Sequence, residues 1–321
     1  MRIFVTGASG WIGSAVVVEL LGAGHQVVGL ARSQQSADAL KAAGVDVRLG
    51  TIDDLDVIAS TAAESDGVIH LAFKHDMAFS GNFQGAADAD RTAVETMAET
   101  LVGSDRPFVL ASGLLGLTPV PGRITTEQDG HAGDPSVEGL PDGPRTRWET
   151  AEYVLSLASR GVRSSIVRLP PTNHGVGDNG FLTTIVNTAR SSGVSGYIGD
   201  GANRWPAVHR LDSAKLFRLA AEKAPAGSTL HPVQDEGVAI RDIAEVIARH
   251  LNIPETSIAP EDAAAHFTWM AHFIGMDSPA SGEFTKELLD WTPVQPGLIA
   301  DLDEGHYFNG PPVLPFNADV L

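Results

Sequence analysis

Three glycines near the start of the chain have the spacing of a phosphate-binding loop. Gly7, Gly10 and Gly13 stand three residues apart, directly after the apolar residues 3–6 and before an apolar helical pattern. In such a loop one glycine permits a tight turn, the next admits a phosphate to the backbone, and the last lets the helix pack closely on the strand. A glycine-rich turn without a ligand is the alternative, but the flanking strand and helix predict a dinucleotide site.

The residues after the second and third predicted strands bear on which dinucleotide is bound. Arg32 and Ser33 follow residues 27–31, and the next acidic residue is Asp38. An NAD site usually has an acidic residue there for the ribose 2′-hydroxyl, whereas NADP requires a cation for the 2′-phosphate. A guanidinium pairs well with phosphate, so we predict NADP over NAD; in the alternative, Arg32 is a solvated strand-end residue. Asp53 either accepts from the adenine amino group or caps the next helix.

A polar group with acid–base chemistry follows the fourth predicted strand. Lys74-His75-Asp76 would lie at the carboxyl edge of the sheet, where open α/β folds bind ligands. His75 is a candidate general acid because an ordinary imidazole titrates near neutral pH, with Asp76 to orient it, and Lys74 is a candidate for the ribose hydroxyls. A solvated polar loop is the competing interpretation. His174, after the sixth predicted strand, is a second candidate proton donor.

The elements that must position these residues alternate along the first half of the chain. Strand-like runs occur at residues 3–6, 27–31, 45–49, 67–71, 108–111 and 165–169, and helical patterns include 86–101 and 147–159. This rhythm predicts an α/β fold with a doubly wound parallel Rossmann sheet. Residues 118–144 are rich in glycine, proline and aspartate and are predicted to form a loop.

The rhythm stops at Pro170-Pro171, which predicts a second, smaller C-terminal α/β lobe for the substrate. We assign residues 1–170, with about 207–223, to the dinucleotide domain, and residues 171–206 and 224–321 to the lobe. In that lobe, aromatic residues form either an apolar substrate pocket or the core of the lobe itself: Trp205, Phe267, Trp269 and Phe273.

Composition limits the classes of partner and the compartment. The chain has 321 residues, 43% of them hydrophobic, no cysteine and a net charge of −18. This charge disfavours nucleic acid and anionic lipid, and no apolar run approaches membrane-spanning length. The absence of cysteine and of a signal-peptide pattern predicts a cytoplasmic protein. The histidines are too scattered to predict a metal site.

Several segments resemble the extended short-chain dehydrogenase/reductase superfamily, whose members include NAD(P)-dependent epimerases and dehydratases. They are Thr-Gly-Ala-Ser-Gly-Trp-Ile-Gly at 6–13, Val-Ile-His-Leu-Ala at 68–72, Val-Arg-Leu-Pro at 167–170, and Gly-Asp-Gly at 199–201 with Val208-His209 and Asp212. The resemblance implies that Leu71 and Ala72 lie beside the cofactor and that Pro170 lies near the nicotinamide. It also implies a homodimer through helices 86–101 and 147–159 as one option.

The sequence departs from that superfamily at its usual proton relay, Tyr-x-x-x-Lys. A lysine there lowers the pKa of the tyrosine phenol. The fourth residue after each of Tyr153, Tyr197 and Tyr307 is leucine, glycine or proline, so no such pair exists in this chain. The serine that usually follows the fifth strand is Ser112, although Gly113 is an alternative for that position. Arg145 and Arg147, near the missing pair, either bind an acidic substrate or simply begin the helix.

These observations predict an NADP-dependent oxidoreductase that transfers a hydride between nicotinamide and a small organic carbonyl, enone or imine. The alternatives are a non-catalytic NADP-binding regulator or redox sensor, and an epimerase or dehydratase. The candidate catalytic residues are Ser112, His75, Lys74 and His174. The predicted cofactor contacts are Gly7, Ser9, Gly10, Trp11, Ile12, Gly13, Arg32, Ser33, Asp53, Leu71, Ala72, Ser112 and Pro170.

Overall fold

The computed structural model describes residues 1–117, 122–134, 137 and 139–309. Its strands are β1 (Arg2–Thr6), β2 (Gln26–Ala31), β3 (Asp46–Leu49), β4 (Gly67–His70), β5 (Pro107–Gly113), β6 (Arg163–Leu169), β7 (Thr172–His174), β8 (Ser195–Ile198), β9 (Arg204–His209), β10 (Ser228–Leu230), β11 (Asp235–Ala239) and β12 (Glu255–Ile258). Seven of them form one parallel sheet in the order β10-β6-β5-β4-β1-β2-β3. This confirms the predicted Rossmann-type α/β fold.

Helices cover both faces of this sheet. The helices are α1 (Trp11–Gly22), α2 (Gln34–Ala42), α3 (Leu55–Ala63), α4 (His75–Phe79), α5 (Phe83–Glu99), α6 (Pro144–Ser156), α7 (Phe181–Ser192), α8 (Arg210–Lys223), α9 (Ile240–Leu251), α10 (Ala263–Phe267), α11 (Ala271–Ile274), α12 (Glu283–Leu289) and α13 (Leu298–Asp303). Successive strand side chains point to opposite faces. Ile3 and Val5 therefore pack with α1 and α8, whereas Phe4 packs with α3, α5 and α6.

The second lobe has its own small sheets and its own core. β11, β9 and β7 form one sheet, and β12 pairs with β8 in another. Trp205 and Phe267 are buried in this core together with the inner face of α9. These two aromatic residues therefore belong to the core of the lobe, which was one of the two interpretations above.

The structure moves the predicted domain boundary at residue 224. β10 pairs in parallel with β6 and forms the edge of the main sheet. Leu230 of this strand is fully buried in the core beside α1 and α8. A strand of three residues carries too little periodicity to be found in the sequence. The main sheet therefore includes residues 228–230, which the sequence analysis had assigned to the lobe.

The loop predicted for residues 118–144 lies partly outside the described residues, at 118–121, 135–136 and 138. In the described part, Arg168 of β6 reaches residues 129 and 130 from inside the protein. Its guanidinium is buried and donates hydrogen bonds to the carbonyls of Asp129 (2.6 Å) and Gly130 (3.1 Å). Trp148 of α6 donates to the Gly130 carbonyl as well, at 2.9 Å. These bonds hold the loop against β6 and α6.

Across the part of the chain that the structure describes, no helix is both long enough and apolar enough to cross a lipid bilayer.

Candidate active site at the carboxyl edge of the sheet

The glycine loop forms a cradle that only glycine can line. Gly7 has a φ of +65°, and a Cβ there would come within 2.8 Å of the Ala72 backbone nitrogen. A Cβ on Gly13 would lie 1.9 Å from the Gly7 carbonyl oxygen. Gly10 precedes α1 and has no side chain that could cap the helix. The backbone N–H groups in the first turn of α1 are therefore available to an anion. This geometry fits the pyrophosphate of a dinucleotide.

The other residues of the loop make different contacts. Trp11 donates its indole N–H to the Asn173 carbonyl at 2.9 Å, and Arg210 lies over its ring at 4.1 Å. Trp11 thus connects the glycine loop to β7 of the second lobe. Ile12 packs against the apolar core, and Ser9 is partly exposed. Contact of these three with a cofactor stays a prediction.

Arg32 and Ser33 lie where β2 ends, at the predicted position for the ribose. Arg32 is 49% exposed, and its guanidinium lies 3.9 Å from the Asp76 carboxylate. The Ser33 hydroxyl accepts a hydrogen bond from the Ser36 N–H and caps α2. No acidic residue lies between β2 and α2.

Asp53 and Lys74 form an ion pair at the same edge. The Lys74 ammonium group donates to the Asp53 carboxylate at 2.7 Å. Asp54, and not Asp53, precedes α3 and accepts hydrogen bonds from Thr51. Asp54 therefore takes the N-cap position that was the alternative for Asp53, but its side chain bonds Thr51 and makes no capping hydrogen bond to the helix. Lys74, which follows β4, thus pairs with a carboxylate from the loop after β3, and a role toward ribose hydroxyls stays a prediction.

A buried polar chain, which sequence reasoning missed, runs beneath the glycine loop. The Thr6 hydroxyl contacts His70 Nδ1 at 2.7 Å, and His70 Nε2 contacts the Asp90 carboxylate at 3.1 Å. The second Asp90 oxygen lies 3.7 Å from the Arg147 guanidinium. One signal was present: Asp90 occupies an inward position of α5 whose other inward residues are apolar, and a buried acid requires a partner.

The Thr6 hydroxyl also fixes the backbone where β4 ends. It accepts hydrogen bonds from the N–H groups of Leu71 and Ala72, each at 3.2 Å. These two residues are the ones that the resemblance placed beside the cofactor. Ala72 also borders the space next to Gly7, so the end of β4 and the glycine loop are in direct contact.

His75 begins α4, which the sequence analysis had not predicted, and the residue is exposed. The surrounding protein and the nearby Arg147 cation lower the pKa of His75 to about 4. This lowered pKa leaves the ring neutral near pH 7. A neutral imidazole can donate a hydrogen bond but is no longer the cationic acid that we expected.

A row of aromatic rings continues from His75 into the second lobe. Phe73 lies 5.1 Å from His75, and Phe79 lies 5.9 Å from it on the other side. Phe79 in turn approaches Trp269, whose side chain is 40% exposed, with 5.0 Å between the ring centroids. These rings, with Phe181 and Phe273, connect α4 to the lobe. One wall of the cleft is therefore apolar and aromatic.

Ser112 and Pro170 lie on neighbouring strand ends, as the resemblance implied. Ser112 is the penultimate residue of β5, is partly exposed and pairs with Arg168 of β6. Pro170 follows β6, is buried, and its carbonyl accepts from the Asn173 side chain at 2.7 Å. Both lie at the carboxyl edge, and their contact with cofactor or substrate stays a prediction.

His174 does not reach this cleft, which corrects the expectation that it is a proton donor. Its ring is 0% exposed, and Nδ1 lies 2.9 Å from the Asp301 carboxylate of α13. β7 pairs with β9, so its inward side chain points into the second lobe. Asp301 also contacts His306 and lies close to Glu304, forming the one group among the described residues with ligand atoms close enough for a metal ion. His174 and His306 therefore each contact one oxygen of the Asp301 carboxylate.

The sheet, the glycine cradle and the polar cleft at the strand ends define a dinucleotide-binding protein of the Rossmann class. The model of the NAD dependent epimerase/dehydratase family matches residues 3–232, and the chain belongs to that family. This confirms the resemblance to the extended short-chain dehydrogenase/reductase superfamily.

Relatives agree with this assignment at two levels. An uncharacterized protein from Schizosaccharomyces pombe is 44% identical over 308 residues, which is 96% of this chain and 100% of that protein. A 4-hydroxy-2-methyl-3-oxo-4-farnesyl-3,4-dihydroquinoline-1-oxide ketoreductase from Stigmatella aurantiaca is 26% identical over 71% of this chain and 66% of its own length. In fold, the chain is similar to a dTDP-glucose 4,6-dehydratase from Streptomyces venezuelae with NAD bound, with a TM-score of 0.71, 19% identity and coverage of 95% and 96% of the two chains.

Proposed function

We propose that this protein is an NADP-dependent oxidoreductase that reduces a small organic carbonyl, enone or imine. The observation that carries the proposal is the glycine cradle, which is open to a pyrophosphate and lies directly beside the polar cleft at the ends of β4 and β5. When bound there, the dinucleotide supplies the hydride. The protein's own residues then have to hold the acceptor group near the nicotinamide and stabilise its charge.

The preference for NADP rests on the residues after β2. The phosphate of NADP would meet the exposed guanidinium of Arg32 and the Ser33 hydroxyl at the start of α2. The segment after β2 has no carboxylate before Asp38 that would repel this phosphate, and Asp76, 3.9 Å from the Arg32 guanidinium, would share that cation with it. The relatives support a nicotinamide cofactor in general, and the choice between NADP and NAD is our inference.

The substrate class follows from the groups that face the cleft. The sequence contains no Tyr-x-x-x-Lys, and His75 is neutral near pH 7, so a strongly acidic proton donor is missing from the described residues. An imine or an activated alkene needs less acid assistance than a simple ketone. The aromatic wall formed by Phe79 and Trp269 suits an apolar or aromatic substrate body. The ketoreductase among the relatives supports reduction of a carbonyl.

The decisive experiment measures oxidation of NADPH and of NADH, at the absorbance band of the reduced nicotinamide, against a panel of ketones, enones, quinones and imines. Dinucleotide affinity is measured in the same samples by fluorescence. We expect turnover with at least one class of acceptor and faster turnover with NADPH. Tight binding with no oxidation across the panel would contradict the proposal and favour an NADP-binding regulator, while failure to bind either dinucleotide would refute both.

A further inference from the structure

Arg147, in the first turn of α6, is a cation held at the floor of the cleft. Its guanidinium donates to the Ala111 carbonyl at 3.3 Å and lies 3.9 Å from the centroid of the Phe73 ring. On its inner side it lies 3.7 Å from the Asp90 carboxylate. The side chain is 23% exposed. Arg147 therefore combines a fixed position with access from the cleft.

Most of the hydrogen-bonding capacity of this guanidinium is unused. A guanidinium has five N–H donors, and within the described residues Arg147 donates only the bond to Ala111. One terminal nitrogen, Nη1, is buried without a hydrogen-bond partner, because Asp90 is close enough for an ion pair but not for a hydrogen bond. Buried donors in folded proteins are nearly always paired. Nη1 faces Asp90, so the donors open to a ligand are Nε and the second N–H of Nη2, which have no acceptor among the described residues.

The buried polar chain of Thr6, His70 and Asp90 explains why the Arg147 guanidinium stays in place. The Thr6 hydroxyl accepts from Leu71 and Ala72, so its own proton goes to His70 Nδ1. His70 then carries its ring proton on Nε2 and donates it to one Asp90 oxygen, which leaves the other oxygen facing Arg147. Asp90 is only 2% exposed, so its charge is little screened. The guanidinium is thus anchored through three side chains to the backbone of β1 and β4.

Two other cations at this edge, Lys74 and Arg32, already lie beside acids on the exposed rim. Lys74 is bonded to Asp53, and Arg32 lies near Asp76. Arg147 instead lies beside His75, whose pKa it depresses, and beside Ala111, the residue before Ser112. Its field is therefore directed at the region between the strand ends of β4 and β5.

We propose that Arg147 binds a negatively charged oxygen of the substrate. This inference rests on the proposed function, because it takes the cleft as the substrate site. The oxygen belongs either to a carboxylate of the substrate or to the reacting carbonyl. In the second case the carbonyl carbon accepts a hydride from the reduced nicotinamide, which is thereby oxidised, and the C=O π pair moves onto the oxygen. Arg147 stabilises that negative charge until the oxygen takes a proton from water, giving an alcohol.

The test uses benzoate as an anionic probe and benzamide as its neutral counterpart, titrated calorimetrically into the full chain with and without NADP⁺. We expect wild-type protein to bind benzoate at least about 10-fold more tightly than benzamide, as a charge-assisted pair with arginine should. Arg147→Met removes the preference, Arg147→Lys keeps part of it, and the matched control Arg145→Met retains it. Equal affinity of the wild type for both probes, or an unchanged preference in Arg147→Met, overturns the proposal.

Two controls keep this test decisive. If Arg147→Met fails to fold because Asp90 is left buried and unpaired, the double variant Arg147→Met/Asp90→Asn removes both charges and is expected to fold without the benzoate preference. The preference should also be constant between about pH 6 and pH 9, since arginine stays protonated throughout. If benzoate bound only under acidic conditions, the binding would be assigned to protonated His75, and the role of Arg147 would be overturned.

Kinetics separate the two sources of the oxygen. With a neutral carbonyl substrate from the panel, charge developing on the carbonyl predicts that Arg147→Met lowers kcat by about 100-fold with little change in KM. A substrate carboxylate predicts instead a rise in KM, and only for substrates that carry one. The benzoate result does not depend on turnover. A panel without turnover therefore refutes the proposed function, whereas a wild-type protein without the benzoate preference, or an Arg147→Met variant that keeps it, refutes the role of Arg147.

Discussion

Replacing Gly13 by alanine tests whether the glycine loop is the dinucleotide site. The added Cβ would lie 1.9 Å from the Gly7 carbonyl oxygen and 2.8 Å from its carbon. Real contacts of this type do not fall below 3.0 Å, so the two backbones must separate by more than about 1 Å. Gly7 cannot give way, because it is itself packed against the backbone of Ala72. The displacement therefore falls on the first turn of α1.

The magnitude follows from that displacement. The first-turn amides of α1 are the donors for the pyrophosphate, and a hydrogen bond to a charged group contributes about 1.5 to 3 kcal/mol. Misplacing two such donors by about 1 Å should cost about 3 kcal/mol of binding free energy, which is about 100-fold in Kd. The overpacking itself should lower the free energy of unfolding by about 1 to 3 kcal/mol.

The assay is a fluorescence titration of NADPH, with urea unfolding of the same variants. Gly22→Ala is the matched control: Gly22 also lies in α1, and no heavy atom lies within 4 Å of its added Cβ, so we expect wild-type affinity. If Gly13→Ala bound NADPH within about 3-fold of the wild type while remaining folded, the cradle could not be the pyrophosphate site.

Three further changes probe separate parts of the structure. Arg32→Ala should weaken NADPH binding by about 10-fold or more and leave the affinity for NADH unchanged, as measured by titration. Equal losses of affinity for the two dinucleotides would contradict the 2′-phosphate contact. Asp90→Ala should lower the free energy of unfolding in urea by about 3 kcal/mol or more, because His70 loses its buried acceptor and Arg147 its buried counter-ion. An unchanged midpoint would refute this. Burial and the Arg168 cation lower the pKa of His231 to about 3, against 6.5 for an ordinary histidine, so the unfolded state binds the extra proton between these values. Stability should therefore fall by about 1.4 kcal/mol per pH unit from this residue as the pH drops from about 6 toward 3, and His231→Leu should flatten that slope.

The sequence was informative wherever a local pattern determines the structure. The apolar runs located β1, β2, β4, β5 and β6 because a strand buried on both faces is a continuous apolar segment. The glycine loop was predictable because only glycine tolerates its close backbone contacts. By contrast, β10 has three residues, and its place beside β6 depends on a long excursion of the chain that leaves no local signal.

The site was only partly predictable because its chemistry depends on contacts between distant residues. Thr6, His70 and Asp90 come from three separate elements, and nothing in their sequence spacing shows that they touch. His174 appeared available because it follows the sixth strand, yet β7 turns it into the second lobe against Asp301. His75 was placed at the correct edge, but its pKa is lowered by desolvation in the folded protein and by Arg147, 72 positions further along the chain.

The position of β10 has a consequence for how the protein is made and how it can be modified. A nascent chain that has emerged only as far as β6 leaves the outer edge of that strand unpaired, and the face of α1 lacks α8. The nucleotide domain therefore completes its folding only after β7, β8 and β9 have been synthesised. Truncation after residue 170 should yield an aggregation-prone fragment. Grafting a new specificity lobe onto this domain requires three junctions, after β6, before α8 and after β10, rather than a single fusion point.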